Sequence, residues 1–86
     1  MAYIAKTDGT RENIDANTVT LKRAKEIVGG WVERVCPKKT PSVVFLCNEE
    51  GHLRGLPLNA QGMMLYGAPV AGDIIVMTRA EAREWM

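Results

Sequence analysis

Few residues in this 86-residue chain can carry covalent chemistry. Its thiols are Cys36 and Cys47, and its one imidazole is His52. The acidic turn Glu49-Glu50 stands beside that histidine, which brings a general acid and a general base close in sequence. No nucleophile or metal ligand is joined to them by spacing, and carboxylates at a turn are ordinarily solvated. The two cysteines form no C-x-x-C pair, and with one histidine a structural zinc would need carboxylates to complete its shell. No G-x-S-x-G, H-E-x-x-H or P-loop signature occurs. The sequence therefore predicts no catalytic residue, no metal and no cofactor.

Binding chemistry is better represented. Gly29-Gly30 has the composition of a phosphate loop but falls at the C-terminal end of a helical pattern, where backbone carbonyls and the helix dipole repel an anion. Asn59 to Gly62 opens a helix after a proline turn and suits an anion better, although a plain N-cap explains Asn59 as well. A sharper feature comes from strand register. If Glu49-Glu50 closes one hairpin, Phe45 faces Arg54; if Cys36 pairs with Val43 in the preceding hairpin, Arg34 also faces Phe45. The row Arg34, Phe45, Arg54 then presents an aromatic ring between two guanidinium groups, which can stack a base or hold phosphate. The structural alternative is that arginine stems simply cover a partly exposed phenylalanine.

The elements that must position these groups follow from periodicity and turn chemistry. Residues Tyr3 to Lys6 and Arg11 to Ile14 form a hairpin around Asp8-Gly9, with Ile4 and Ile14 turned to the core. After a cap at Asn17 or Thr18, Leu21, Ala24, Ile27 and Val28 recur at helical spacing until Gly29. Trp31 to Cys36, Val43 to Asn48 and His52 to Leu56 are expected as a three-stranded meander, with Gly51 left-handed in the turn. One sheet face would carry Trp31, Val35, Val44, Leu46 and Leu53. Asn59 caps a short helix from Ala60 to Tyr66, Ile74 to Met77 is a buried strand, and Thr78 with Glu81 has the spacing of a capping box on a last helix. The fold class is α+β, a small antiparallel sheet of this meander plus additional strands, packed against two or three short helices in one domain over residues 1–86. In this register Cys36 and Cys47 lie about 13 Å apart on one face and stay reduced.

Composition narrows the partners. A hydrophobic content of 47% and a charged content of 24% are those of a globular chain. A net charge of +1 exerts no general pull on nucleic acid. Apolar runs fall short of the roughly 20 residues that cross a bilayer, and the first residues lack the apolar core of a secretory signal, so a cytoplasmic location is expected.

The segments LKRAKEIVGG (Leu21 to Gly30), Trp31 to Val35, Asn48-Glu49-Glu50-Gly51, Leu56-Pro57-Leu58-Asn59 and Gly72-Asp73-Ile74-Ile75-Val76 together resemble a family of small domains of unknown function from phages and actinobacterial mobile genomes. The resemblance covers about residues 18 to 78. It implies a phage-type accessory protein acting in the host cytoplasm, and it marks Asn48, Gly51, Pro57 and Asn59. With the residue row it gives two expectations: a non-catalytic module that sequesters a small nucleotide-like signal of host defence through Arg34, Phe45, Arg54, Asn48 and Asn59, or a module that binds and modulates a host protein. The second draws on Trp85, Met86, Met63 and Met64 as exposed apolar groups. In either case a homo-oligomer is expected, because so small a domain forms a deep pocket more readily between subunits.

Overall fold

A computed structural model describes residues 2–85. Its seven regular elements are β1 (Ala2–Ala5), β2 (Arg11–Ile14), α1 (Leu21–Val28), β3 (Val32–Val35), β4 (Val43–Asn48), α2 (Ala60–Tyr66) and β5 (Ile74–Thr78). Short 3-10 turns cover Ala16–Thr18 and Glu81–Trp85. The fold is α+β, as the pattern implies. The five strands form one sheet in the order β2-β1-β5-β4-β3, with every neighbouring pair antiparallel.

β5 is the most apolar strand and ends up in the middle, where burial on both faces is compatible with its Ile-Ile-Val-Met run. Two cores result, one on each side of the sheet. Ala2, Val44, Leu46, Ile75 and Met77 face α1, which contributes Ala24. Ala5, Phe45, Cys47, Ile74 and Val76 face the other way, toward Val70 and the Met63 and Leu65 side chains of α2. Close approach on this second side depends on Gly62, because a Cβ there would stand 2.9 Å from Val70 Cγ1 and 3.1 Å from Ile74 Cδ1.

The meander is replaced by a different arrangement. β3 and β4 do pair antiparallel, but the stretch expected as a third strand, 52–56, is a multiple turn. The Asn48 side chain accepts from Glu50 N at 2.8 Å, which bends the chain at once into helix-like turns: Arg54 N donates to Glu50 O and Leu56 N to Gly51 O. The positive φ that the sequence suggested for Gly51 belongs to Gly55, at +68°. Gly51 instead sits where a Cβ would stand 3.1 Å from Ala71 O.

Register is also shifted by one residue from the expected pairing. Val35, not Arg34, lies opposite Phe45, and Arg34 lies opposite Leu46. The reason is burial: Phe45 is fully enclosed, and its row across the sheet is Tyr3, Val76, Phe45 and Val35. An arginine in that row would bring a charge beside the core. Val35 therefore leaves the face of Val44 and Leu46, while Trp31 and Leu53 are exposed. Cys36 and Cys47 are both free thiols, Cys36 exposed and Cys47 buried.

Caps match the sequence in part. Thr20 rather than Asn17 or Thr18 caps α1, accepting from Arg23 N, and Gly29 ends it. Thr78 and Glu81 exchange hydrogen bonds as a capping box, though the element they open is a 3-10 turn. Asn59 does more than cap α2. Its Oδ1 accepts from Gly62 N, while Nδ2 donates to Ala5 O at 2.8 Å and Gly72 O at 2.9 Å. One fully buried amide thus joins β1, the turn before β5, and α2. Asn59→Ala removes the cap and strands two carbonyls, so it should destabilise the fold by about 3 kcal/mol. Urea unfolding of wild type and variant measures this; an unchanged midpoint would mean that the amide is dispensable.

Candidate binding cleft

The register that separates Arg34 from Phe45 brings other residues together. Glu33, Val35, Phe45 and Cys47 share the α2 side of the sheet, and beyond them the chain from Tyr66 to Ala71 passes over the same surface. Between the two lies a cleft of about 240 Å³. Its floor is Val35 and Phe45, and one wall is Tyr66, whose ring meets that of Phe45 edge-on with centroids 5.9 Å apart and planes at 78°. Glu49, Gly51 and His52 close one end through the 48–56 turn.

The polar groups of the cleft are engaged with one another or with the backbone. The Cys47 thiol donates weakly to Glu33 Oε1 at 3.9 Å. Burial, and then the neighbouring Glu33 carboxylate, push its pKa up to about 11, so it is protonated at neutral pH and a poor nucleophile. His52 Nε2 lies 3.1 Å from the Pro69 carbonyl oxygen, a contact in which the ring nitrogen must donate. Among the described residues no group of three or more His, Cys, Asp and Glu side chains is placed to hold a metal ion.

A second, more open groove of about 530 Å³ continues along β3 from the cleft, sharing Glu33, Val35 and Tyr66 with it. Its other walls include Arg34, Cys36, Lys38 and Ala68. The surface thus changes from an apolar cleft with carboxylate acceptors to a groove edged by the Lys38 cation.

The residues expected as a site are dispersed. Phe45 is buried in the cleft floor and Arg34 lies on the opposite sheet face, its Nη1 3.0 Å from Cys36 Sγ. Arg54 is carried away by the 48–56 turn and donates to Gly29 O at 2.6 Å. Asn48 lines the cleft, but its Nδ2 donates to Val28 O at 3.1 Å. These two side chains satisfy carbonyls at the C-terminus of α1, where Arg54 also complements the dipole. Asn59 is sealed in the core. Glu33, Cys47, Tyr66 and Lys38 were not singled out as ligand contacts; the alternation of Glu33 with Val35 could have placed that pair on one face, but nothing local links Tyr66 to it.

A small α+β domain with a cleft between its sheet and the segment after α2 is the class of protein these features define. The chain belongs to the Domain of unknown function (DUF3846) family, whose model matches residues 2–85. Comparisons with curated proteins and with solved structures gave no match. Among the described residues no helix is long and apolar enough to cross a membrane.

The Cys47 environment has a measurable consequence. In the native protein at pH 8, alkylation should modify Cys36 rapidly and Cys47 slowly, with both reacting after unfolding. Because the folded-state pKa lies above the unfolded value near 9, the unfolded chain ionises first, so Cys47 lowers stability as pH rises from about 9 to about 11. Glu33→Gln should shift the thiol downward and speed Cys47 labelling at pH 9. Equal labelling of wild type and variant would show that the carboxylate exerts no influence on the thiol.

Proposed function

We propose that this domain is a non-catalytic binding module that holds a small nucleotide-like molecule in the cleft and groove beside β3. The carrying observation is the polarity of that surface: an aromatic, apolar recess with Glu33 as acceptor opens toward Lys38. A flat ring with exocyclic donors suits the recess, and an anionic group suits the groove. The protonated Cys47 thiol and the engaged His52 favour retention of the ligand over its conversion.

A recess of about 240 Å³ is smaller than the roughly 300–1,000 Å³ of common ligand sites, so the rest of the molecule would extend along the groove. A second subunit covering the open side would complete the enclosure, which is how a homo-oligomer enters this reading. The family resemblance supplies the setting, a phage-type accessory protein that blunts a host defence by holding its signal in the host cytoplasm.

Thermal shift against mono-, di- and cyclic nucleotides and ADP-ribose derivatives tests the proposal. At about a hundred times its dissociation constant a ligand adds about 2.7 kcal/mol, a rise of several degrees or more for a domain of this length. Lys38→Ala should weaken binding about tenfold by removing a charge-assisted contact, and Tyr66→Ala should weaken it by a similar factor. A flat wild-type response across the panel would overturn the reading.

A further inference from the structure

β3 is an edge strand, and its unpaired side is open in an informative way. Glu49 N donates to Trp31 O, and the same ladder continues with Glu33 opposite Cys47 and Val35 opposite Phe45. Hydrogen-bonded and outward-facing residues alternate in an antiparallel pair, so Val32 and Arg34 turn their N–H and C=O groups away from the sheet. The other edge, β2, differs in its side chains. There Arg11 donates to Gln61 Oε1 and lies over the Tyr3 ring, and Glu12 pairs with Lys6. On β3 the side-chain hydrogen bonds of Glu33 and Arg34 go to cysteine sulfurs, and neither has a salt bridge among the described residues.

We propose that the outer edge of β3 docks an extended segment of a different protein, which joins the sheet as an antiparallel sixth strand with apolar, acidic, basic and apolar residues opposite Val35, Arg34, Glu33 and Val32. Charge complementarity selects this occupant. An acidic residue opposite Arg34 and a basic one opposite Glu33 give two favourable cross-strand pairs, whose side chains fall on opposite faces of the sheet. Main-chain bonds supply affinity and these side chains supply register. The groove between β3 and Tyr66 and Ala68 leaves room for the side chains on the α2 side.

The same charges argue against a second copy of this chain as the occupant. Two β3 strands related by a two-fold axis can match their outward groups with all but one strand residue paired in two registers. One sets Glu33 against its own counterpart, the other Arg34 against its own, and like charges directly opposite are destabilising. Sliding further brings Arg34 to Gly30 or Glu33 to Pro37, beyond the ends of the strand. This inference goes beyond the small-ligand reading and needs no nucleotide.

Two synthetic peptides of one composition provide the test. Thr-Val-Asp-Lys-Val-Thr sets opposite charges against Arg34 and Glu33, and Thr-Val-Lys-Asp-Val-Thr sets like charges there. By titration calorimetry with wild-type protein, the first should bind about tenfold more tightly. The double variant Glu33→Arg, Arg34→Glu should reverse the order. An N-methyl scan needs no variant: methylation of the peptide residue opposite Arg34 should abolish binding, and methylation opposite Glu33 should leave it, since only the first N–H points at β3. Equal affinities for the two peptides, no reversal in the double variant, or indifference to the methylated position would each overturn the proposal. So would a wild-type dimer in sedimentation that dissociates in the double variant. A flat nucleotide panel leaves all these outcomes readable.

Discussion

The enclosure of Phe45 is the constraint on which the rest of the cleft side depends. A phenylalanine with no exposed surface in an interior strand needs apolar neighbours along its row, and Tyr3, Val76 and Val35 supply them. Pairing Phe45 with Val35 sets the whole β3–β4 register, because a shift of one residue exchanges the faces of every side chain. Glu33 is thereby brought beside Cys47, and Arg34 is sent to the other face. Both the character of the cleft and the charge order along the open edge follow from where one aromatic ring is buried.

Local signals were legible in the sequence where a short range of chain decides the outcome. The β1–β2 hairpin, α1 and its glycine stop, α2 with its Asn59 cap, and the Thr78–Glu81 capping box all depend on residues within a few positions of one another. Register is different in kind. The loop between β3 and β4 has seven residues, 36–42, and imposes no fixed pairing; only the competition between Val35 and Arg34 for a place beside Phe45 decides it. The 48–56 segment failed for a related reason. Asn48-Glu49-Glu50-Gly51 reads as a hairpin turn, but Asn48 is held by Val28 O, twenty residues earlier, and its other amide atom redirects the chain at Glu50. A contact to a distant helix end cannot be read from the turn itself.

That contact also changes the meaning of Asn48, Arg54 and Asn59. Each carries the chemistry of a ligand-binding residue, yet each spends it on backbone carbonyls: Val28 O, Gly29 O, and the pair Ala5 O and Gly72 O. Among the described residues no buried side-chain nitrogen or oxygen lacks a partner. In a domain with only thin cores on either side of one sheet, polar residues at element junctions replace the apolar contacts that a larger protein would use there. Folding thus gives each of these residue types a use of its own, and the side chains that face the cleft and groove without such a backbone bond include Glu33, Lys38 and Tyr66.

Topology explains why that surface gathers around β3. The connection through α1 carries the chain from one edge of the sheet, β2, to the other, β3, so the strand after the helix is paired on one side only. The segment after α2 must return to start β5 in the sheet centre, and it does so over the exposed part of β3 and β4, which forms the wall of the cleft. The free backbone on the edge thus follows from the connection through α1, and the cleft on one face from the connection through α2. Glu33 belongs to both, its carboxylate in the cleft and its backbone one residue from the outward groups of Val32 and Arg34. A strand added at the edge would lie along the groove and close the open side of the recess, so occupancy of one would bear directly on access to the other.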